Sequence, residues 1–241
     1  MYVALAKFDV FSNISVFYPL TSKAAPAYPL PPPTTLVGAL AYPYLRSREP
    51  SEYYNGYSPA VKLLDVIHYA SAGAYAYHIT KDIERIYQHV YLRKDHWSKL
   101  EMAFTVSVRG VTTYLDNELL VLYVSRDREV LDYIYGITRI GRKECHVALR
   151  DVVIEKLENV VSHRRIFNTV FYTPTAIAEC SKAIRLSMPK LDKYNFSGTT
   201  QPLLEEYFVP NGLEPMECEL GPQGLLIEID GMAIAIPRIQ R

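Results

Sequence analysis

Tyr28-Pro29-Leu30-Pro31-Pro32-Pro33-Thr34-Thr35-Leu36-Val37-Gly38-Ala39-Leu40 joins a stiff extended arm to the start of a helix. Three consecutive prolines fix φ and remove backbone donors, so Pro31 to Pro33 suit neither a helix interior nor an inner strand. Thr34 or Thr35 then supplies an N-cap, and Leu36, Val37, Ala39 and Leu40 begin an apolar helical face. Gly38 falls inside that beginning, where glycine costs about 1 kcal/mol of helix propensity relative to alanine. Two explanations stay open. The arm is a rigid lead into an ordinary packed helix, or the helix tip, with unpaired N–H groups and partial positive charge, receives an anion such as an RNA phosphate.

Outward from this stretch the pattern is mixed. Tyr2 to Phe17 alternates as a long first strand, with Val3 and Leu5 on one face and Ala4, Ala6 and Phe8 on the other. Thr34 to about Arg46 is the first helix, Ser47 to Pro59 a polar, tyrosine-rich connection, and Val61 to Tyr69 a strand. Met102 to Leu115 and Leu119 to Ser125 read as strands joined through the tight-turn pair Asp116-Asn117. Arg126 to about Ile137 is a short helix with Val130, Leu131 and Ile134 on its apolar face, and Cys145 to Val153 is the next strand. The order strand, helix, strand, strand, helix, strand predicts an α+β class. Specifically, it predicts a ferredoxin-like (RRM-like) βαββαβ domain over residues 1–153, in which a four-stranded antiparallel sheet carries two helices on one face. Residues 154–241 are irregular and proline-bearing, with one clear hairpin, Leu225 to Ile229 and Met232 to Ile236 around Asp230-Gly231; they predict a smaller β-rich C-terminal lobe.

Composition excludes several classes. At 241 residues and 49% hydrophobic content the chain can bury a substantial core. Its apolar runs are short and broken by charge, and its opening lacks a signal-peptide pattern, so neither a membrane span nor export is expected. Cys145, Cys180 and Cys218 are widely spaced with no CxxC pair, which predicts reduced thiols in a cytoplasmic protein and no disulfide or zinc site. The histidines show no HExxH spacing, so no metal centre or other cofactor is implied. Lysine plus arginine total 26 and aspartate plus glutamate 26. That neutrality argues against an autonomous nucleic-acid binder while leaving room for local basic patches.

Two such patches stand out. His78 to Lys99 carries Lys81, Arg85, His89, Arg93, Lys94, His96, Trp97 and Lys99 among Tyr77, Tyr87 and Tyr91. Cations mixed with aromatic rings suit single-stranded nucleic acid, since a stacked base is worth ~1–3 kcal/mol; a solvated amphipathic hairpin is the plainer reading. Between Gly136 and Gly141 and just beyond lie Arg139, Arg142 and Lys143. Gly141 there admits a close backbone, or the arginines merely complement the end of the preceding helix.

These stretches carry a resemblance. The run "FYPLTSKAAPAYPLPPPTTLVGAL" (Phe17 to Leu40) resembles the opening of the CRISPR-associated Cas-five family of the RAMP superfamily, through Tyr28, Pro29, Pro31, Pro32, Thr34, Thr35 and Gly38. "IYGITRIGRKECHVALRDV" (Ile134 to Val152) is similar to that family's Arg-x-Gly-Arg/Gly-Lys-Glu segment, through Arg139, Gly141, Arg142, Lys143 and Glu144. Together the matches cover about a quarter of the chain. Length and an archaeal type of composition favour the type I-A branch within it. The resemblance implies a non-catalytic, cytoplasmic RNA-binding subunit of an antiviral type I Cascade complex that holds the 5′ handle of the CRISPR RNA and caps the assembly. Its implied partners are the CRISPR RNA, the Cascade backbone and large subunits and, through the complex, target DNA, with no membrane. Lys23, Tyr28, Thr34, Thr35 and Gly38 would clamp a phosphate while a base stacks on Tyr28, and Arg139 to Lys143 would add cations. About 77–100 would form a thumb, bringing Lys81, Arg93, Lys94, His96 and Trp97 to the RNA.

Two alternatives follow. Some relatives of type I-C cut CRISPR repeat RNA without metal, which needs a base, an acid and a cation. Tyr42 or Tyr44, His78 with Lys81, and Lys94 with His96 are the candidates, but the adjacent Lys-His pair of the cutting relatives is missing. A protein-interaction module without an RNA role fits the 20 tyrosines.

Overall fold

A computed structural model of the chain describes residues 1–19, 21, 25–46, 48, 55–87, 104–197 and 201–239, the side chains at 84–87 and 104–107 excepted. In chain order its first part forms β1 (Tyr2–Val10), α1 (Pro33–Arg46), β2 (Ile67–Gly73), β3 (Tyr77–Tyr87), β4 (Phe104–Tyr114), β5 (Glu118–Ser125), α2 (Arg128–Leu131) and β6 (Val147–Lys156). Strands β2, β5, β1 and β6 lie side by side in that order, every neighbouring pair antiparallel. β3 and β4 pair separately as a two-stranded ribbon from Tyr77 opposite Tyr114 to Tyr87 opposite Phe104.

The alternation of β1 is used on both sides. Ala4, Ala6 and Phe8 meet Leu36, Val37, Leu40, Ala41 and Leu45 of α1, together with Val130, Leu131 and Ile134 beyond β5. Tyr123 fastens α1 to the sheet by donating its hydroxyl to the Leu36 carbonyl at 2.9 Å. Val3 and Leu5 face the other way, with Leu120, Leu122 and Val124, into a second core.

That second core is completed from far along the sequence. After α3 (Leu157–Val160) come β7 (Val161–Ser162), β8 (Ile166–Thr169), β9 (Thr173–Pro174), β10 (Ala178–Ser181), β11 (Ala183–Pro189), β12 (Leu204–Pro210), β13 (Met216–Leu220), β14 (Gly224–Ile229) and β15 (Met232–Pro237). They make three small sheets, ordered β10-β13-β8, β11-β12-β9 and β15-β14-β7. Ile227, Ile229, Ile234 and Ile236 of the β14–β15 hairpin cover the Val3–Leu5 face. The hairpin turns at Asp230 (φ 49°) and Gly231 (φ 74°), the left-handed pair that the Asp-Gly sequence favours. Tyr172, Met188, Tyr207 and Val209 reach the first core beside Tyr28 and Leu36. Both faces of the sheet are therefore buried.

Several expectations are corrected here. The first strand stops at Val10, and Ile14 and Phe17 make only isolated bridges, to Thr112 and Ala27. Where a strand from Val61 was expected, a 3-10 helix runs Pro59–Asp65, capped by the Ser58 hydroxyl, and the strand begins at Ile67. Neither Thr34 nor Thr35 caps α1. The helix starts at Pro33, whose missing N–H costs nothing there, and the Pro32 carbonyl accepts from Thr35 at 2.9 Å and Leu36 at 3.1 Å. Cys180 and Cys218 are not reduced thiols but form a disulfide, because the β10–β13 register sets them directly opposite although 38 residues separate them. Cys145 is buried and free. No helix among the described residues is long and apolar enough to cross a membrane, and no group of three His, Cys, Asp or Glu among them could hold a metal ion.

Candidate nucleic-acid interface

The segment after β1 and the loop before β6 are laced together. Phe11 N–H donates to His146 O at 3.1 Å, His146 N–H to the Ser12 hydroxyl at 3.1 Å, and the Ser12 hydroxyl to Glu144 O at 2.9 Å. Ser15 N–H donates to the Cys145 sulfur at 3.3 Å. The loop is also closed on itself by Cys145 N–H to Arg142 O and Val147 N–H to Thr138 O, both at 3.0 Å. Gly141 sits within it at φ 97°, where a Cβ would come 3.1 Å from Val16 Cγ2 and 3.3 Å from Ser15 O. The freedom of this glycine therefore admits the chain's own backbone, where an RNA backbone was expected.

Opposite this loop stands one flank of α1, and a cleft of about 440 Å³ lies between them. Thr35, Gly38, Ala39 and Tyr42 form the helical wall at the i, i+3, i+4, i+7 spacing of a single stripe. Thr138, Arg139, Gly141 and Arg142 form the loop wall, and Ser15, Val16 and Phe17 complete the lining. A Cβ on Gly38 would find nothing within 4 Å, so its missing side chain is part of the open space.

The charge in the cleft is positive and laid on rings. The Arg139 guanidinium lies 4.4 Å from the Tyr42 ring centre, and that of Arg142 lies 5.4 Å from Phe17. A guanidinium stacked by its face keeps its N–H donors in its own plane, the fork that matches a phosphate. Among the described residues no carboxylate lines the cleft; Glu144 pairs with Arg142 from the loop's edge, 3.8 Å from its Nε. A hydrogen bond from its own backbone amide, with Arg142 behind it, holds the Glu144 carboxyl below its ordinary value. Guanidinium donors beside aromatic faces suit an anionic ligand that carries planar groups.

The two motifs thus converge, though not as the sequence suggested. Thr35, Gly38, Arg139, Gly141 and Arg142 line one cleft, while Thr34 is half-buried in the first turn and Lys143 is exposed at the loop's edge. The helix offers its flank and not its tip. Pro32 and Pro33 have no N–H, and that of Thr35 is used by Pro32, so few amides are available at the end. Tyr28 cannot be the stacking surface. It is 2% exposed, its hydroxyl donates to Ser187 O at 3.1 Å, and its ring is stacked on Tyr18 at 4.1 Å, so burial pushes its phenol well above the ordinary range. Lys81 is exposed on β3, three residues from His78 and so on the opposite strand face, which keeps the two from sharing a reaction centre. Lys23, Arg93, Lys94, His96 and Trp97 lie outside the described residues. The sequence places Phe17 in a strand and offers Tyr42 only as a candidate acid or base; the helical spacing 35, 38, 42 is the signal that joins Tyr42 to the motif.

The fold recurs among CRISPR proteins. A CRISPR protein from Archaeoglobus fulgidus superposes with a TM-score of 0.62 over 98% of this chain and 99% of that one, at 17% identity. A chain of the Type III-B Cmr-beta complex bound to cognate target RNA and AMPPnP superposes at 0.50 over 90% and 86%, at 9% identity. The sequence narrows this class. The chain is 35% identical over 155 residues to the CRISPR system aCascade subunit Cas5 1 of Saccharolobus solfataricus, and 36% identical over 155 residues to the CRISPR-associated protein Cas5 3 of the same organism. Each alignment covers 61% of this chain and 63% of the relative, so the match spans less than two thirds of those proteins. No protein-family model matches the chain. Over those 155 residues the chain is thus similar to proteins named Cas5.

Proposed function

We propose that this chain is an RNA-binding, non-catalytic subunit of a CRISPR effector complex of the Cascade type, and that the cleft holds nucleotides of the 5′ handle of the guide RNA. We read residues 1–153 as a ferredoxin-like domain on which 154–241 is built as a β-rich lobe, acting in the cytoplasm beside a backbone and a large subunit. One observation carries the reading: two motifs about 100 residues apart, each resembling the same family, form opposite walls of one cationic, aromatic cleft. The relatives named as Cascade subunits support it. The usual alternative for an RRM-like sheet, stacking bases on its open face, has no support here, since Ile227 to Ile236 cover that face. The endoribonuclease reading lacks a joined acid and base at His78 and Lys81.

The test is crosslinking in the assembled complex, with 4-thiouridine placed at each of the first nucleotides of the guide. Crosslinked peptides containing Phe17, Tyr42 or Arg139 to Arg142 are expected. Adducts from those nucleotides confined to residues remote from the cleft would refute the assignment.

A further inference from the structure

Outside the cleft, the end of α1 carries a second set of cations laid on rings. Arg46 donates to the Tyr42 hydroxyl at 2.7 Å and lies 5.7 Å from the centre of the ring that bears Arg139 on the cleft side. Two residues on, the Arg48 guanidinium sits 4.3 Å from the Tyr44 ring and 5.0 Å from the Tyr133 ring, donating to the Tyr133 hydroxyl at 2.6 Å. Tyr44 and Tyr133 meet edge to face at 5.1 Å. Tyr42 and Arg46 are an i, i+4 pair of α1, and Arg48, past the helix end, is held by its N–H to the Leu45 carbonyl at 2.9 Å.

Arg46 and Arg48 are exposed. Several other arginines of this neutral chain are matched to carboxylates, Arg128 to Asp132, Arg150 to Asp9 and Glu118, Arg164 to Glu228 and Arg165 to Glu219, while exposed Arg126 and Arg238 donate to the Asp65 and Pro222 carbonyls. Among the described residues no carboxylate lies in ion-pair reach of Arg46, Arg48 or Arg139; their partners are tyrosines. A tyrosine fixes a guanidinium without neutralising it, which leaves an ordered row of positive charge for an anion from outside.

We propose that this row is a second nucleic-acid subsite, a track that takes the phosphates of a single strand as it leaves the cleft. It rests on the cleft's holding RNA and extends that reading to Arg46, Arg48, Tyr44 and Tyr133. Continuity favours RNA over an acidic protein surface, because Tyr42 belongs to the cleft wall and to the track at once. Planar cations and rings in sequence also suit a strand that presents phosphates and bases alternately.

The experiment uses the full chain and two fluorescein-labelled single-stranded RNAs, of 4 and 12 nucleotides, followed by anisotropy across a salt series. Each phosphate contact to a single strand contributes about 0.7 to the slope of log affinity against log salt. Arg46→Ala with Arg48→Ala should lower that slope by about 1.4 for the longer RNA, which corresponds to about 25-fold weaker binding at 0.1 M salt. The shorter RNA, filled by the cleft alone, should bind as before, whereas Arg142→Ala weakens both. Arg46→Lys with Arg48→Lys should restore most of the slope, which a merely structural role would not do. Unchanged binding of the longer RNA in the double alanine variant, with Arg142→Ala still effective, overturns the track and leaves the row to a protein partner. If the native chain binds neither RNA, the cleft reading falls and the track with it.

Discussion

Replacing Gly38 separates the needs of the helix from those of the cleft. The residue lies in the interior of α1, where glycine is about 1 kcal/mol less favourable than alanine. An added Cβ meets nothing within 4 Å, so no clash offsets that gain. Gly38→Ala should therefore stabilise the protein by about 1 kcal/mol, which in a chain of this size raises Tm by about 2–4 °C. Gly38→Leu has nearly the same helix propensity, but it sends three further carbons into the space between Thr35, Tyr42 and Arg139. Its Tm should equal or exceed the native value while RNA affinity falls. The displacement of one stacked base, ~1–3 kcal/mol, corresponds to about 5- to 150-fold. Scanning calorimetry and RNA anisotropy on the same preparations read the two effects apart. A destabilised alanine variant would show that the glycine serves packing, and a leucine variant with native RNA affinity would remove the cleft from the binding site.

Glu144→Gln should tighten RNA binding several-fold at low salt, because the carboxylate near Arg142 competes with a phosphate for it; equal affinities across the salt series would count against that competition. Tyr28→Phe removes a part-buried hydrogen bond to Ser187 and should cost about 1 kcal/mol of stability with RNA affinity unchanged, whereas lost binding at unchanged Tm would return Tyr28 to the site. Peptide mapping without reductant should find Cys180 joined to Cys218, and a bridge spanning 38 residues is worth about 4 kcal/mol, seen as a lower denaturation midpoint after reduction and alkylation. Two freely alkylated thiols in native protein would refute the pairing.

What the sequence made legible were features with local causes. The period of β1 assigned Val3 and Ala4 to opposite cores, Asp230-Gly231 set a hairpin, and the prolines before Thr34 marked where α1 begins. Long-range register was hidden. Nothing in the spacing of Cys180 and Cys218 shows that two strands will place them face to face, and nothing near Tyr28 shows that Tyr18 will cover its ring. The cleft was legible by halves: each motif stood out, but its meeting with the other, and the part played by Phe17 between them, depends on how the segment after Val10 leaves the sheet and lies against the loop before β6. Gly141 shows the same limit. Its need for positive φ is local, while the identity of the backbone that comes close is not.

The burial of both faces of the sheet has a consequence for how the protein is made. The four strands β2, β5, β1 and β6 are all synthesised by residue 156, yet the cover of Val3, Leu5, Leu120, Leu122 and Val124, begun by Val160, Val170 and Phe171, is completed only once β15 has left the ribosome at residue 237. For some eighty residues of translation the nascent chain carries an incompletely covered aliphatic surface, an aggregation hazard during synthesis.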